Sequence, residues 1–225
     1  MTDPRGGGSR NNTLLIGGIA VGLVAILAVV AIFLTRGDDD GSGDGASGEA
    51  VQEQGPVEVG GAALPPYPQV QGFVAPADQD PAVGQTPPTL TGEGFDGQRV
   101  VIDPADGTPK VVVFVAHWCP HCQAEVPVLQ NWIDEGNLPD GVEVHTVSTA
   151  VTQDRPNYPP SAWLDREGWT SPVLLDDPDA TASTAWGLRS FPYLVFIDSD
   201  GKVTARATGE LPPELFGELV DEIAP

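Results

Sequence analysis

Apolar positions along the chain fall into three regimes. The first is one unbroken run, Leu14 to Leu34, of 21 uncharged residues drawn only from Leu, Ile, Val, Ala, Phe and Gly. The second, from Gly37 to about Pro88, has few apolar residues and no period. The third, from Thr89 to the C-terminus, alternates between short β-branched runs and stretches with helical spacing. Within it Val100–Ile102 predicts a short strand, and Val111–Ala116 (VVVFVA) a fully buried one. From Pro120 to about Glu135, Val126, Leu129, Trp132 and Ile133 recur at helical spacing. Val142–Val147 predicts a second buried strand, Ser161–Glu167 a helix, Val173–Leu175 a third strand and Ala180–Trp186 another helix. Tyr193–Ile197 and Val203–Ala207, joined through Asp198–Gly201, predict a hairpin, and Pro212–Ile223 a closing amphipathic helix. This order implies an α/β fold, a mixed sheet flanked by helices.

The first run has no polar face, so it does not read as a core helix. At about 1.5 Å per residue it reaches roughly 31 Å, enough for a hydrocarbon core of about 30 Å. It exceeds the 7–15 residues usual in a signal peptide and lacks a small-x-small cleavage site. The pattern therefore predicts an uncleaved transmembrane anchor over 14–34, a signal-anchor. Arg5 and Arg10 precede it, against Asp3 alone, while Asp38, Asp39 and Asp40 follow. That asymmetry favours a cytoplasmic tail at 1–13 and an extracytoplasmic remainder, in a single-pass cell-membrane protein. Disulfide chemistry is permitted on that side.

The second regime opens with Gly, Ser and Asp and continues with Pro56, Pro65, Pro66, Pro68, Pro76, Pro81, Pro87 and Pro88. It predicts a disordered linker over 35–88, flexible and then stiffer, acting as a tether. Val70, Phe73 and Val74 are the candidates within it for docking on the folded part, which is expected over 89–225.

Composition and charge narrow the function classes. The 225 residues carry 32 acidic and 10 basic side chains, a formal charge of −22, which excludes nucleic acid as the main partner. Residues 1–36 hold three basic and one acidic side chain, and the rest seven and 31, so the acidity belongs to the extracytoplasmic part.

Both cysteines of the chain lie in His117-Trp118-Cys119-Pro120-His121-Cys122, at the junction of a buried strand and a helix. The first thiol of a CxxC at a helix start meets free N–H groups and the positive dipole end, which favour its thiolate. His121 adds a cation and donor beside it. A permanent structural bridge is the plainer alternative, but so short a loop constrains little of the unfolded chain. A zinc or copper site built from His117, Cys119, His121 and Cys122 is another, although metal sites more often use a second CxxC or a distant His pair. His145, mid-strand, reads as packing. The acidic run Asp176, Asp177 and Asp179 reads as the approach to a helix N-terminus.

Trp118-Cys119-Pro120-His121-Cys122 followed by Glu125-Val126-Pro127 resembles the W-C-x-x-C-x-x-E-x-P motif of the membrane-anchored TlpA/ResA-type thiol-disulfide oxidoreductases, which have the thioredoxin fold. The likeness spans about 89–225, with Asn157–Asp177 supplying an inserted helix and strand, and Phe191-Pro192 standing where that fold has its cis-proline. It implies a protein thiol-disulfide oxidoreductase with Cys119 as attacking and Cys122 as resolving thiol. Trp118, Pro120, His121, Phe191 and Pro192 would tune redox behaviour and bind substrate. Glu125 would be a proton relay, or merely an acid favoured in the first helical turn.

No metal or organic cofactor is implied beyond a redox-active Cys119–Cys122 disulfide. The expected partners are cysteine-containing exported proteins and a membrane or extracytoplasmic redox partner that regenerates the site. Three positions depart from the family pattern: Val113 replaces a common acidic or amide residue, the bulky Phe191 precedes Pro192, and the CPHC sequence resembles DsbA-type oxidases. The redox direction is thus open between an oxidase and a reductase supplying electrons to apocytochrome c or other exported proteins. A non-enzymatic copper or zinc carrier is the remaining alternative.

Overall fold

The computed structural model describes residues 51–225, so the anchor and tail expected over 1–34 and the first part of the expected linker lie outside the described residues. Among the described residues no helix is long and apolar enough to cross a membrane.

Among the described residues, eight strands and four helices follow one another. A small antiparallel sheet holds β1 (Glu58–Gly60), β2 (Thr89–Glu93) and β3 (Arg99–Ile102) in that order. The main sheet has the order β6-β5-β4-β7-β8, with β4 (Lys110–Val115), β5 (Glu143–Ser148), β6 (Val173–Leu175), β7 (Tyr193–Ile197) and β8 (Val203–Thr208). The β4–β5 and β5–β6 pairs are parallel, and the β4–β7 and β7–β8 pairs antiparallel. The helices are α1 (Pro120–Asp134), α2 (Pro160–Arg166), α3 (Thr181–Ala185) and α4 (Pro213–Asp221).

Strand β4 is central, and every one of its residues is buried. Because side chains alternate across a strand, its apolar run feeds two cores. Val111, Val113 and Val115 pack with Val126 and Leu129 of α1 and Phe216 and Val220 of α4. Val112 and Phe114 pack on the opposite face with Leu90, Ile102, Ala182 and Trp186. Phe216 meets Trp132 edge to face at 4.9 Å, joining α4 to α1. The sheet thereby fixes where β4 ends and α1 begins, which is where the cysteines lie.

Each predicted element is found within a residue or two, and α2 and β6 occupy the expected insertion, whereas β1 and β2 have no counterpart in the sequence reading. The proline-rich segment requires a correction. Over its described part, 51–88, the expected linker is a strap packed onto the domain. Strand β1 pairs with β2, and Leu64, Tyr67, Ala75 and Ala82 are buried. Leu64 and Tyr67 donate their N–H groups to the carbonyls of Ala185 and Gly187, each at 2.8 Å. Val74 forms an antiparallel bridge to Ala207 on β8.

Deepest is a fully buried ion pair. Arg206 Nε donates to Asp80 Oδ2 at 2.8 Å and Nη2 to Oδ1 of the same carboxylate. Nη1 of Arg206 donates to the carbonyl of Pro65 at 2.8 Å and to the Tyr193 hydroxyl at 3.0 Å. A proline-rich chain has few donors to satisfy and loses little entropy on ordering, so sparse apolar anchors and one buried charge pair suffice to hold it. Phe73, by contrast, stays 42% exposed.

Candidate active site at the start of helix α1

The site is built where β4 runs out and α1 begins. Cys119 is the N-cap of α1, in extended backbone conformation, and Pro120 follows at the first helical position. Proline has no N–H to leave unsatisfied there and its fixed φ suits the helix. The unpaired N–H groups of the first turn then surround the Cys119 sulfur. Both cysteines carry free thiols.

The two thiols sit in opposite environments. Cys119 is lowered from 9.0 to about 6, first by the hydrogen bond from the Cys122 thiol, then by the N–H groups of Cys122 and His121 and the charge of His121, against the opposing effect of burial. Cys122 is fully buried and its pKa is raised, chiefly by burial and then by the hydrogen bond it gives Cys119 and the negative charges of Cys119 and Glu125. The Ala116 N–H donates to the Cys122 sulfur at 3.5 Å. At neutral pH this arrangement holds one thiolate and one thiol.

Glu125 is not the solvent-facing first-turn acid that the plainer sequence reading allows. It lies in the second turn of α1 and is only 2% exposed. Burial, with the Glu210 charge adding to it, pushes its carboxyl up to about 7, although the Leu211 N–H donates to both carboxylate oxygens at 3.1 and 3.2 Å. Glu125 is thus a buried carboxyl on the helix, three residues after Cys122.

The Phe191–Pro192 peptide is cis, and the Phe191 carbonyl oxygen lies 4.0 Å from the Cys119 sulfur. The Pro192 carbonyl accepts from Gly209 N–H and the Thr208 hydroxyl, both at 3.0 Å. Trp118 donates its Nε1–H to the Ala150 carbonyl at 2.8 Å and meets Phe191 edge to face at 5.9 Å. The Arg155 guanidinium lies 5.5 Å from the centre of the Trp118 ring. Trp118, Pro120, His121, Phe191 and Pro192 are thus all gathered around Cys119.

His117, by contrast, turns away into the protein. It is 1% exposed, with Nδ1 2.7 Å from the Pro156 carbonyl and Nε2 3.2 Å from the Thr152 N–H. Those partners require a proton on Nδ1 and a lone pair on Nε2. With both ring nitrogens engaged by backbone, the four-residue metal set of the carrier reading is not assembled. Among the described residues no three His, Cys, Asp or Glu side chains converge to hold a metal.

The acidic run is likewise absorbed. Asp176 accepts from the Thr149 hydroxyl at 2.7 Å and the Ala182 N–H at 2.8 Å at the start of α3. His145 lies on β5, with Nε2 2.9 Å from Oε2 of Glu143 on the same strand.

Two participants escaped the sequence: Glu210, whose carboxylate reaches His121, and His117 as a clasp on the 149–158 loop. The return of the β7–β8 hairpin to the dithiol end is the only sequence signal that could have pointed to Glu210.

A dithiol at a helix N-terminus beyond a central strand, faced by a cis-proline loop, defines a thioredoxin-like fold. The structure resembles StoA from Bacillus subtilis with a TM-score of 0.50 and 22% identity, covering 62% of this chain and 98% of that one. Residues 82–221 match the Redoxin family, and the chain belongs to it. The protein is 24% identical over 133 residues to the thiol-disulfide oxidoreductase ResA of Halalkalibacterium halodurans, covering 59% of this chain and 72% of that one. To ResA of Geobacillus thermodenitrificans it is 27% identical over 144 residues, 64% of this chain and 79% of the relative. It is an oxidoreductase of the thiol-disulfide class, of ResA type. The strap over 51–81 precedes the family match.

Proposed function

We propose that the protein is a membrane-anchored, extracytoplasmic oxidoreductase that exchanges disulfides with cysteine-containing exported proteins through Cys119 and Cys122. The observation that carries this reading is the opposed ionisation of the two thiols, Cys119 lowered to about 6 and Cys122 raised. The anchor rests on the apolar run at 14–34 and the charges flanking it.

In the reducing direction the Cys119 thiolate attacks one sulfur of a substrate disulfide, forming a Cys119–substrate bond and expelling one substrate thiolate. Cys122 then loses its proton and attacks the Cys119 sulfur. The second substrate thiolate leaves, and the Cys119–Cys122 disulfide remains. The substrate has gained two electrons and leaves as two thiolates; the proton given up by Cys122 serves one of them, and water supplies the other. Glu125, poised near 7 beside Cys122, is the group to accept the Cys122 proton. The oxidising direction runs the same steps backwards, with Cys119 as leaving group. Either way a redox partner restores the pair, and no organic cofactor takes part. Trp118 and Phe191 wall the approach to the sulfur, so they bear on which polypeptides reach it.

The lowered Cys119 supports an oxidising pair, because a stabilised thiolate stabilises the reduced form. A value near 6 is nevertheless closer to thioredoxin, about 7, than to DsbA, about 3.5. That proximity favours a second reading, a reductase delivering electrons to exported proteins such as apocytochrome c. Trapping tests the shared mechanism. Cys122→Ser should accumulate a mixed disulfide through Cys119 with a cysteine-containing protein, and Cys119→Ser should accumulate none. Equal trapping by both variants would overturn the assignment. The reduction potential of the full chain in detergent then chooses the direction.

A further inference from the structure

The turn over 209–211, between β8 and α4, reaches both sides of the dithiol. Glu210 Oε1 lies 2.6 Å from Nδ1 of His121, the residue between the cysteines. The next residue, Leu211, gives its N–H to both oxygens of Glu125 on the following turn of α1. One dipeptide therefore holds two titratable groups of the dithiol site, His121 between the cysteines and Glu125 three residues after Cys122.

His121 and Glu210 are exposed, at 65% and 48% of their side-chain surface. Water and salt screen such a pair, so it adds little to folding stability. Its effect is on the ring itself. A free imidazole loses its proton near 6.5, only slightly above the range where Cys119 ionises, so at pH 7–8 the thiolate would face a neutral ring. The Glu210 carboxylate holds the His121 proton to higher pH, with the Cys119 thiolate assisting, and the His121 charge in turn favours that thiolate. The groups acting on His121 are Glu210 from this turn and Cys119 from the start of its own helix.

We infer that Glu210 is a positioning residue for the dithiol, fixing the His121 ring and its proton beside Cys119; this rests on Cys119 being the attacking thiol. It makes the reduced pair more stable, and the disulfide more oxidising, at pH 7–8 than the CPHC sequence alone does. The charge beside Cys119 is thus set by a residue in the turn that follows the edge strand β8.

The test uses the reduced full chain in detergent, as wild type, Glu210→Gln, His121→Gln and the double variant. Imidazole NMR follows His121, iodoacetamide alkylation follows the Cys119 thiolate, and equilibration with glutathione gives the exchange constant. In Glu210→Gln the His121 midpoint should fall toward 6.5. At pH 7.5 the constant for oxidising glutathione should drop three- to tenfold, about 14 to 30 mV. At pH 5.5, where the ring is protonated in either protein, the constants should agree. In the His121→Gln background the substitution should change nothing. An unmoved His121 titration, or an equal loss in the His121→Gln background, overturns the inference. None of these readouts needs a protein substrate. Failure of the exchange reading would show instead as absence of insulin reduction by the wild type.

Discussion

Arg206 on β8 and Asp80 in the proline-rich strap form an ion pair with both side chains fully buried. The arginine also serves the Pro65 carbonyl and the Tyr193 hydroxyl, so one side chain fastens two parts of the strap to the sheet. Removing either partner leaves a buried charge without compensation.

Asp80→Ala and Arg206→Ala should therefore each cost about 3–5 kcal/mol in urea unfolding. The Asp80→Ala variant should also be cleaved within 61–88 by a protease at a dose that leaves the wild type intact. Intact strap cleavage patterns in both variants would show that the apolar anchors alone hold it.

Cys119 should titrate with a midpoint near 6 when thiolate absorbance is followed in the reduced protein. Its leading cause is the Cys122 hydrogen bond, so Cys122→Ala should raise the midpoint by a unit or more, toward the ordinary thiol range. Each unit corresponds to about 1.4 kcal/mol. A midpoint unmoved by that change would assign the effect to the helix N–H groups alone.

Glu125 carries a pH-dependent cost. Its folded pKa of about 7 lies above its ordinary value of 4.5, so the folded state holds a proton the unfolded chain has lost between those values. Stability from this group is undiminished below 4.5, falls as pH rises to 7 and stays reduced above it. Glu125→Gln should thus match the wild type near pH 4 and gain up to about 3 kcal/mol at pH 8 in denaturant melts. The same variant should slow the resolving step, read as a longer-lived mixed disulfide. A gain already present at pH 4 would contradict the buried-acid account.

His117→Ala removes the acceptor for Thr152 N–H and the donor to Pro156. Leaving these backbone groups unpaired should cost about 1–3 kcal/mol and loosen the 149–158 loop. Faster amide exchange at Thr152 and altered Trp118 fluorescence are the expected signs, because Trp118 leans on the Ala150 carbonyl of that loop. Unchanged exchange would mean that other contacts hold the loop.

The strand–helix junction that carries the cysteines was legible because its signals are local. VVVFVA reads as a buried strand, Pro120 suits the first helical position, and the CxxC spacing places both thiols on one helix start. Phe191-Pro192 was legible only through the family motif, and the order of the later elements followed from alternation of period. The strap was misread because proline and glycine content measures local stiffness and says nothing of distant docking sites. Strand β2 (TLTGE), whose one large apolar side chain is Leu90, carries too weak a pattern to stand out.

By itself, then, the sequence determined the α/β alternation, the place of the dithiol and the chemistry that place permits. The tertiary structure decided which groups govern that chemistry: Glu125 buried under Leu211, 86 residues away, His121 paired with Glu210, 89 away, and Asp80 with Arg206, 126 away. Periodicity and capping report on a residue's immediate neighbours. Burial of a carboxylate, or the partner that holds a proton on a ring, depends on chain segments that meet only when the sheet has formed.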